Sequence, residues 1–137
     1  MLAMPDPLPV LAAGALTFLL GGLWYSPAMF ARAWVPLAHP GKSMEDLRRE
    51  GAGAGGYVLA FLGGLVGAAV VGAVAQTAGG GLADGLAAGT AVGVAVLAAM
   101  GVNNHFGGRP RRLWLIDGGY QALGLILAGL VYGIWPT

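Results

Sequence analysis

Gly107-Gly108-Arg109-Pro110-Arg111-Arg112 decides how this chain is read. The segment separates two apolar runs, Leu82 to Asn104 and Leu113 to Trp135, and Asp117 is the only charge inside the second. It also holds three of the seven Lys and Arg residues. The other four, Arg32, Lys42, Arg48 and Arg49, lie in one earlier stretch, itself flanked by the apolar runs Leu8–Tyr25 and Tyr57–Gln76. A helix rises about 1.5 Å per residue, so roughly 20 apolar residues cross a hydrocarbon layer of about 30 Å. Four such runs, with basic residues only in alternate connections, follow the positive-inside pattern. They predict an all-α membrane protein, a bundle of four transmembrane helices in one domain over residues 1–137. The spans are approximately 8–25, 57–76, 82–104 and 113–135. Connection 26–56 carries short interfacial and cytoplasmic helices.

Composition supports the same class. The chain is 57% hydrophobic and 9% charged, whereas a soluble domain carries about 25% charged residues. A core this small cannot hide so much apolar surface from water. A net charge of +1 gives no nucleic-acid footprint. The absence of cysteine excludes disulfides and thiolate chemistry, and two histidines alone make no metal or haem site. No metal and no cofactor is expected. The first run resembles a signal peptide in length only: no basic residue precedes it, and Gly21-Gly22-Leu23-Trp24 is no small-residue cleavage site.

Within connection 26–56, Ser26-Pro27 reads as the capped start of a short interfacial helix. It carries Phe30 and Trp34 on one face and is limited by Pro36. Ser43 caps a second helix, Met44 to Glu50, with Asp46 in the reciprocal position of a capping box. Gly51 to Gly56 reads as a flexible entry to the second span, and Gly79-Gly80-Gly81 as a tight turn. The basic connections are expected to face the cytoplasm of a bacterial inner membrane, with both termini outside. Trp24, Tyr25, Trp34, Tyr57, Phe106 and Trp114 mark one interface, and Tyr132 and Trp135 the other.

Glycines recur at four-residue spacing: 81, 85, 89 and 93, then 63 with 67 and 129 with 133. Small residues at this spacing let helix backbones approach in lipid. Close packing, within or between subunits, ranks ahead of a glycine-lined pore. On the fourth span, Trp114, Asp117, Gln121, Gly124 and Ala128 share one face and are expected to point into protein. Ile116, Leu123, Leu127 and Leu130 are expected towards lipid, with Tyr120 between the two faces.

This topology gathers the candidate site residues at one membrane depth: Trp24, Tyr25, Asn103, Asn104, His105, Arg109, Asp117, Tyr120 and Gln121. Asp117 lies about 6 Å beyond Leu113 along the helix axis. An acid there is costly unless paired. Arg109 is one available partner, and pairing ranks ahead of a translocation or catalytic role. Asn103 and Asn104 suit inter-helix hydrogen bonds. His105 is a possible base, but a lone interfacial histidine is more often structural. Arg109, Arg111 and Arg112 suit anionic headgroups, yet orientation alone explains them.

At Gly22-Leu23-Trp24-Tyr25-Ser26-Pro27, with Phe30 and Trp34 following, and at Asn103-Asn104-His105-Phe106, Arg109-Pro110, Leu113, Ile116, Gly119 and Tyr120 the chain resembles a bacterial membrane family catalogued as domain of unknown function 1761. The resemblance covers essentially the whole chain. It implies a four-helix multipass protein and no established activity. Two positions depart from the family's usual pattern, Gly107 where an acid is usual and Asp117 where asparagine is frequent.

Three functions remain open. One is a small oligomeric transporter or channel, with the Asp117/Gln121 face around an aqueous cavity between copies of the chain. The second is an interfacial enzyme, with Arg109 and Asn104 holding a lipid or anionic amphiphile and Tyr25 or Tyr120 donating a proton. This rests on a layout shared with small four-helix glutathione- and eicosanoid-metabolising enzymes. The third is a non-catalytic scaffold. Expected partners are membrane lipid, further copies of the chain and an unidentified small solute.

Overall fold

A computed structural model describes residues 1–51 and 53–136. Six helices follow in order: α1 (Pro7–Trp24), α2 (Ala31–Ala38), α3 (Met44–Glu50), α4 (Gly53–Ala78), α5 (Leu82–Phe106) and α6 (Arg111–Ile134). α1, α4, α5 and α6 are each long and apolar enough to cross a membrane. They form an all-helical multipass architecture, with no strand among the described residues. α2 and α3 lie in the connection between α1 and α4. The two connections that carry the basic residues share one end of the bundle, called here the basic end. The N-terminal segment meets the end of α4 at the far end, where Thr77 Oγ1 accepts the Ala3 N–H at 2.9 Å.

α6 is the central element and packs against α1, α4 and α5. Its most extensive partner is α5, and there the helices touch backbone to backbone. A Cβ added at Gly85 would land on the Gly129 carbonyl oxygen, and one at Gly129 on that of Gly85. Farther along, a Cβ at Gly93 would meet the Ala122 carbonyl oxygen at 3.2 Å. α1 is tied to α6 by side chains that donate to backbone: Trp24 Nε1 to Ile116 O at 3.0 Å, Tyr120 Oη to Thr17 O at 3.0 Å and Tyr132 Oη to Asp6 O at 2.9 Å.

Burial is uneven along the bundle axis. The buried apolar cluster consists of Ala13, Ala68, Val71, Ala75, Ala88, Leu125 and Ala128. In α4 every buried residue lies at Ala68 or beyond, whereas Gly53 to Ala60 are all exposed. Core packing is therefore densest towards the far end, and towards the basic end α4 diverges from α6 while Tyr57 and Phe61 still pack edge-on against Phe18 of α1 at 6.5 and 5.9 Å.

Local differences from the sequence reading have physical causes. α4 begins at Gly53 rather than after a flexible glycine segment, because a nucleated helix propagates cheaply and membrane spans tolerate glycine. α2 begins at Ala31, not at Ser26, and runs two residues past Pro36. The Ser26 hydroxyl donates backwards to the Leu23 carbonyl at 2.6 Å and helps close the end of α1 instead of capping α2. Gly79, Gly80 and Gly81 have φ of 135°, 82° and 90°. Only glycine adopts such angles at little cost, so the reversal between α4 and α5 is built from three of them.

The Ser43 capping box is present. Ser43 Oγ accepts the Asp46 N–H at 3.1 Å, and Asp46 Oδ2 accepts the Ser43 N–H at 2.9 Å. That backbone bond, followed by the bond with the Ser43 side chain, holds the Asp46 carboxyl below its ordinary value of 3.8. A depressed folded pKa contributes helix stability above the unfolded value and loses it as pH falls through the folded one. The Ser43 amide proton shift is expected to titrate with a midpoint below 3.8. Asp46→Ala should abolish that titration; a midpoint at or above 3.8 contradicts the box.

Candidate functional site

Asp117 sits on α6 two turns from the basic end and is partly buried. Its Oδ1 accepts two bonds, from Tyr25 Oη at 2.7 Å and from Trp34 Nε1 at 2.8 Å. Tyr25 closes α1, and Trp34 reaches in from α2. The two rings also meet edge to face, 5.4 Å between centroids, and Tyr25 packs edge-on to Tyr120 at 5.5 Å. Three helices thus converge on one carboxylate oxygen. Neither donor carries a counter-charge.

Arg109 is not the partner of Asp117. The ion pairs among the described residues are Lys42–Glu50 at 2.7 Å and Arg49–Glu45 at 3.7 Å, both in connection 26–56. Arg109 instead shares a cavity with Asp117. The cavity measures about 340 Å³ and is lined by Met100, Asn103, Asn104, Gly107, Arg109, Trp114 and Asp117. Trp114 forms one wall. Its ring fits because Gly101 and Gly118 lack side chains: a Cβ at either would approach the indole to 3.0 and 3.3 Å. Trp114 Nε1 donates to the Leu97 carbonyl at 2.9 Å, which fixes the ring.

Asn104 is buried and already committed. Its Nδ2 donates to the carbonyls of Arg109 at 3.0 Å and Pro110 at 3.2 Å, tying the α5–α6 turn to the end of α5. Asn103 is exposed and lines the cavity. His105 points elsewhere. It packs edge-on with the exposed Phe106 at 5.5 Å and lines an adjoining surface depression, with Arg111, that shares Asn104, Arg109 and Trp114 with the cavity. Trp24 and Tyr120 serve the α1–α6 contact through the backbone bonds given above. Gly21 leaves room for the Tyr120 hydroxyl, which a Cβ there would meet at 2.9 Å.

The wheel of α6 misplaces two residues. Gln121 is exposed, in a cleft of about 310 Å³ that it shares with Thr17, Leu59, Gly63, Gly64 and Tyr120. Ile116, expected towards lipid, is 7% exposed. Both follow from the central position of α6. Its flank at Ile116 is covered by Trp24 of α1, whereas at the depth of Gln121 α4 has moved away. Trp34 and Trp114 were not among the expected site residues. Both read in sequence as interfacial anchors; Trp114 is also expected on the protein-facing side of α6, whereas the inward turn of the Trp34 N–H comes only from the tertiary fold.

Chemically, the site has a carboxylate held by neutral donors and an unpaired guanidinium in one cavity. His105 lies outside that cavity, and its walls carry no hydroxyl nucleophile. Among the described residues no three His, Asp or Glu side chains gather closely enough to hold a metal ion.

No curated protein and no solved structure matches the chain. One family model does, described as "Protein of unknown function (DUF1761)", over residues 8–133. With nearly its whole length matched, and with four apolar helices that fit a multipass membrane protein, this chain belongs to that family of unknown function.

Proposed function

We propose that the protein is a small transport protein of the bacterial inner membrane, with its solute site in the Asp117/Arg109 cavity. The positive-inside rule places the basic end in the cytoplasm and both termini outside. The observation that carries this reading is the asymmetry of the bundle. Core packing is concentrated at the far end, and the polar cavity lies at the basic end with an acid and a base that do not neutralise each other. An intramembrane carboxylate that is positioned but not ion-paired is suited to a passing solute or ion. Core packing at the far end leaves one chain without a continuous path, and in this reading passage is completed between copies in a homo-oligomer. The cavity wall offers no hydroxyl nucleophile and no imidazole, which supports transport over enzymatic turnover.

The test is uptake into liposomes containing the purified protein, with radiolabelled amino acids, betaines, polyamines and inorganic ions. At least one solute should accumulate in a protein-dependent way. A hydrogen bond to a charged group contributes about 1.5–3 kcal/mol. Asp117→Asn should therefore slow uptake by about tenfold or more, with an unchanged melting profile. No flux for any solute, or equal flux in the variant, rejects the reading.

A further inference from the structure

The cavity holds two opposite formal charges and spends neither on the other. Asp117 uses Oδ1 for Tyr25 and Trp34, and Oδ2 accepts no bond among the described residues. No buried side-chain N or O lacks a partner among the described residues, so Oδ2 is open rather than sealed. The backbone carbonyl of Arg109 is held by Asn104, whereas its guanidinium, which is exposed, makes no hydrogen bond or ion pair among the described residues. Asn104 is spent on the turn, which leaves Asn103 as the uncommitted neutral polar side chain of the cavity.

A purely cationic solute placed at Asp117 meets Arg109 across the same small space. A purely anionic one placed at Arg109 meets Asp117. Arg109 is exposed and Asp117 partly buried, so solvent weakens but does not remove this opposition, and each loses part of what its one favourable contact gains. A solute with both charges uses both contacts. The volume, about 340 Å³, lies at the small end of ligand cavities. The Trp114 ring beside Asp117 further favours an ammonium or quaternary ammonium group at that end.

On the reading of this cavity as the solute site, we propose that it takes a small zwitterion. Its ammonium group lies between Asp117 Oδ2 and Trp114, and its carboxylate or phosphate lies on Arg109. Two sources share this chemistry: a free betaine or amino acid, and the headgroup of a zwitterionic phospholipid.

The experiment is equilibrium dialysis of radiolabelled glycine betaine against the purified full-length protein in detergent, with three competitors. Choline carries the cation alone, propionate the anion alone, and glycerophosphocholine both charges as a lipid headgroup does. Glycine betaine should bind saturably. Choline and propionate should compete at least about tenfold more weakly, since each forgoes one charge-assisted contact. Asp117→Asn and Arg109→Gln should each weaken betaine about tenfold, and Arg109→Lys should restore part of the loss. Asp117→Asn keeps an acceptor for Tyr25 and Trp34, and melting curves check that each variant folds. Stronger competition by glycerophosphocholine than by betaine supports the proposal and assigns the headgroup as the source; the reverse supports it and assigns the free solute.

Choline equal to betaine, or no effect of Arg109→Gln, overturns the zwitterion while leaving the transport reading to its own flux assay. No saturable binding of radiolabelled glycine betaine or, in a parallel dialysis, of radiolabelled glycerophosphocholine also overturns it. Failure of the liposome uptake test as well removes the transport reading.

Discussion

Gly129→Val is expected to separate α5 from α6 and to cost the fold about 3 kcal/mol or more, the upper end of what overpacking does. The reason is the kind of atom the new side chain meets. A Cβ at Gly129 falls on the carbonyl of Gly85, and the reverse substitution falls on the carbonyl of Gly129. No rotamer change moves a backbone carbonyl. At Gly64, by contrast, a Cβ meets the Thr17 hydroxyl at 2.9 Å, and that side chain can turn aside. At Gly63 nothing lies within 4 Å. Unfolding by SDS in mixed micelles should rank Gly129→Val and Gly85→Val far below wild type, Gly64→Ala between, and Gly63→Ala close to wild type. A Gly129→Val protein as resistant as the wild type would show that α5 and α6 do not meet here.

The second large effect is at Asp117 and depends on the replacement. Asp117→Leu leaves the Tyr25 hydroxyl and the Trp34 indole N–H without their acceptor. A stranded buried donor costs about 1–3 kcal/mol, and both donors are partly buried. Asp117→Asn keeps an oxygen in place and should stay within about 1 kcal/mol of wild type in stability, because the two donor bonds survive in neutral form. The leucine variant should also release α2, whose Trp34 is its one side-chain hydrogen bond to α6. Acrylamide quenching of tryptophan fluorescence should rise in Asp117→Leu and stay level in Asp117→Asn. Equal melting and equal quenching in the two variants would mean that Trp34 does not anchor α2 to the carboxylate.

The four spans are legible because length and hydropathy act residue by residue, without reference to neighbours. The Ser43/Asp46 box is legible for the same reason: both partners lie within one turn. The candidate residues Asp117, Arg109, Asn103 and Asn104 do line one cavity, since topology alone sets their depth. What stays hidden is which neighbour each face of α6 meets. Asp117 and Gln121 are one turn apart on the same face, yet one is clasped by α1 and α2 and the other looks into a cleft. That difference arises from the divergence of α4, a property of helix tilt that no periodicity encodes. Trp34 is hidden likewise. Its amphipathic setting explains why α2 lies at an interface, but the direction of its N–H depends on where α6 passes beneath it.

The exposure of Gly53 to Ala60 carries a mechanical consequence. α4 is held on several sides towards its C-terminal end and chiefly by Phe18 of α1 near its start, where Tyr57 packs edge-on at 6.5 Å. In a bilayer, acyl chains would close the open side of the cleft that Gln121 shares with Leu59 and Gly63. A change of bilayer thickness or lateral pressure would tilt α4 about its C-terminal end and alter the width of that cleft. The composition of one leaflet is thereby part of the protein's working geometry.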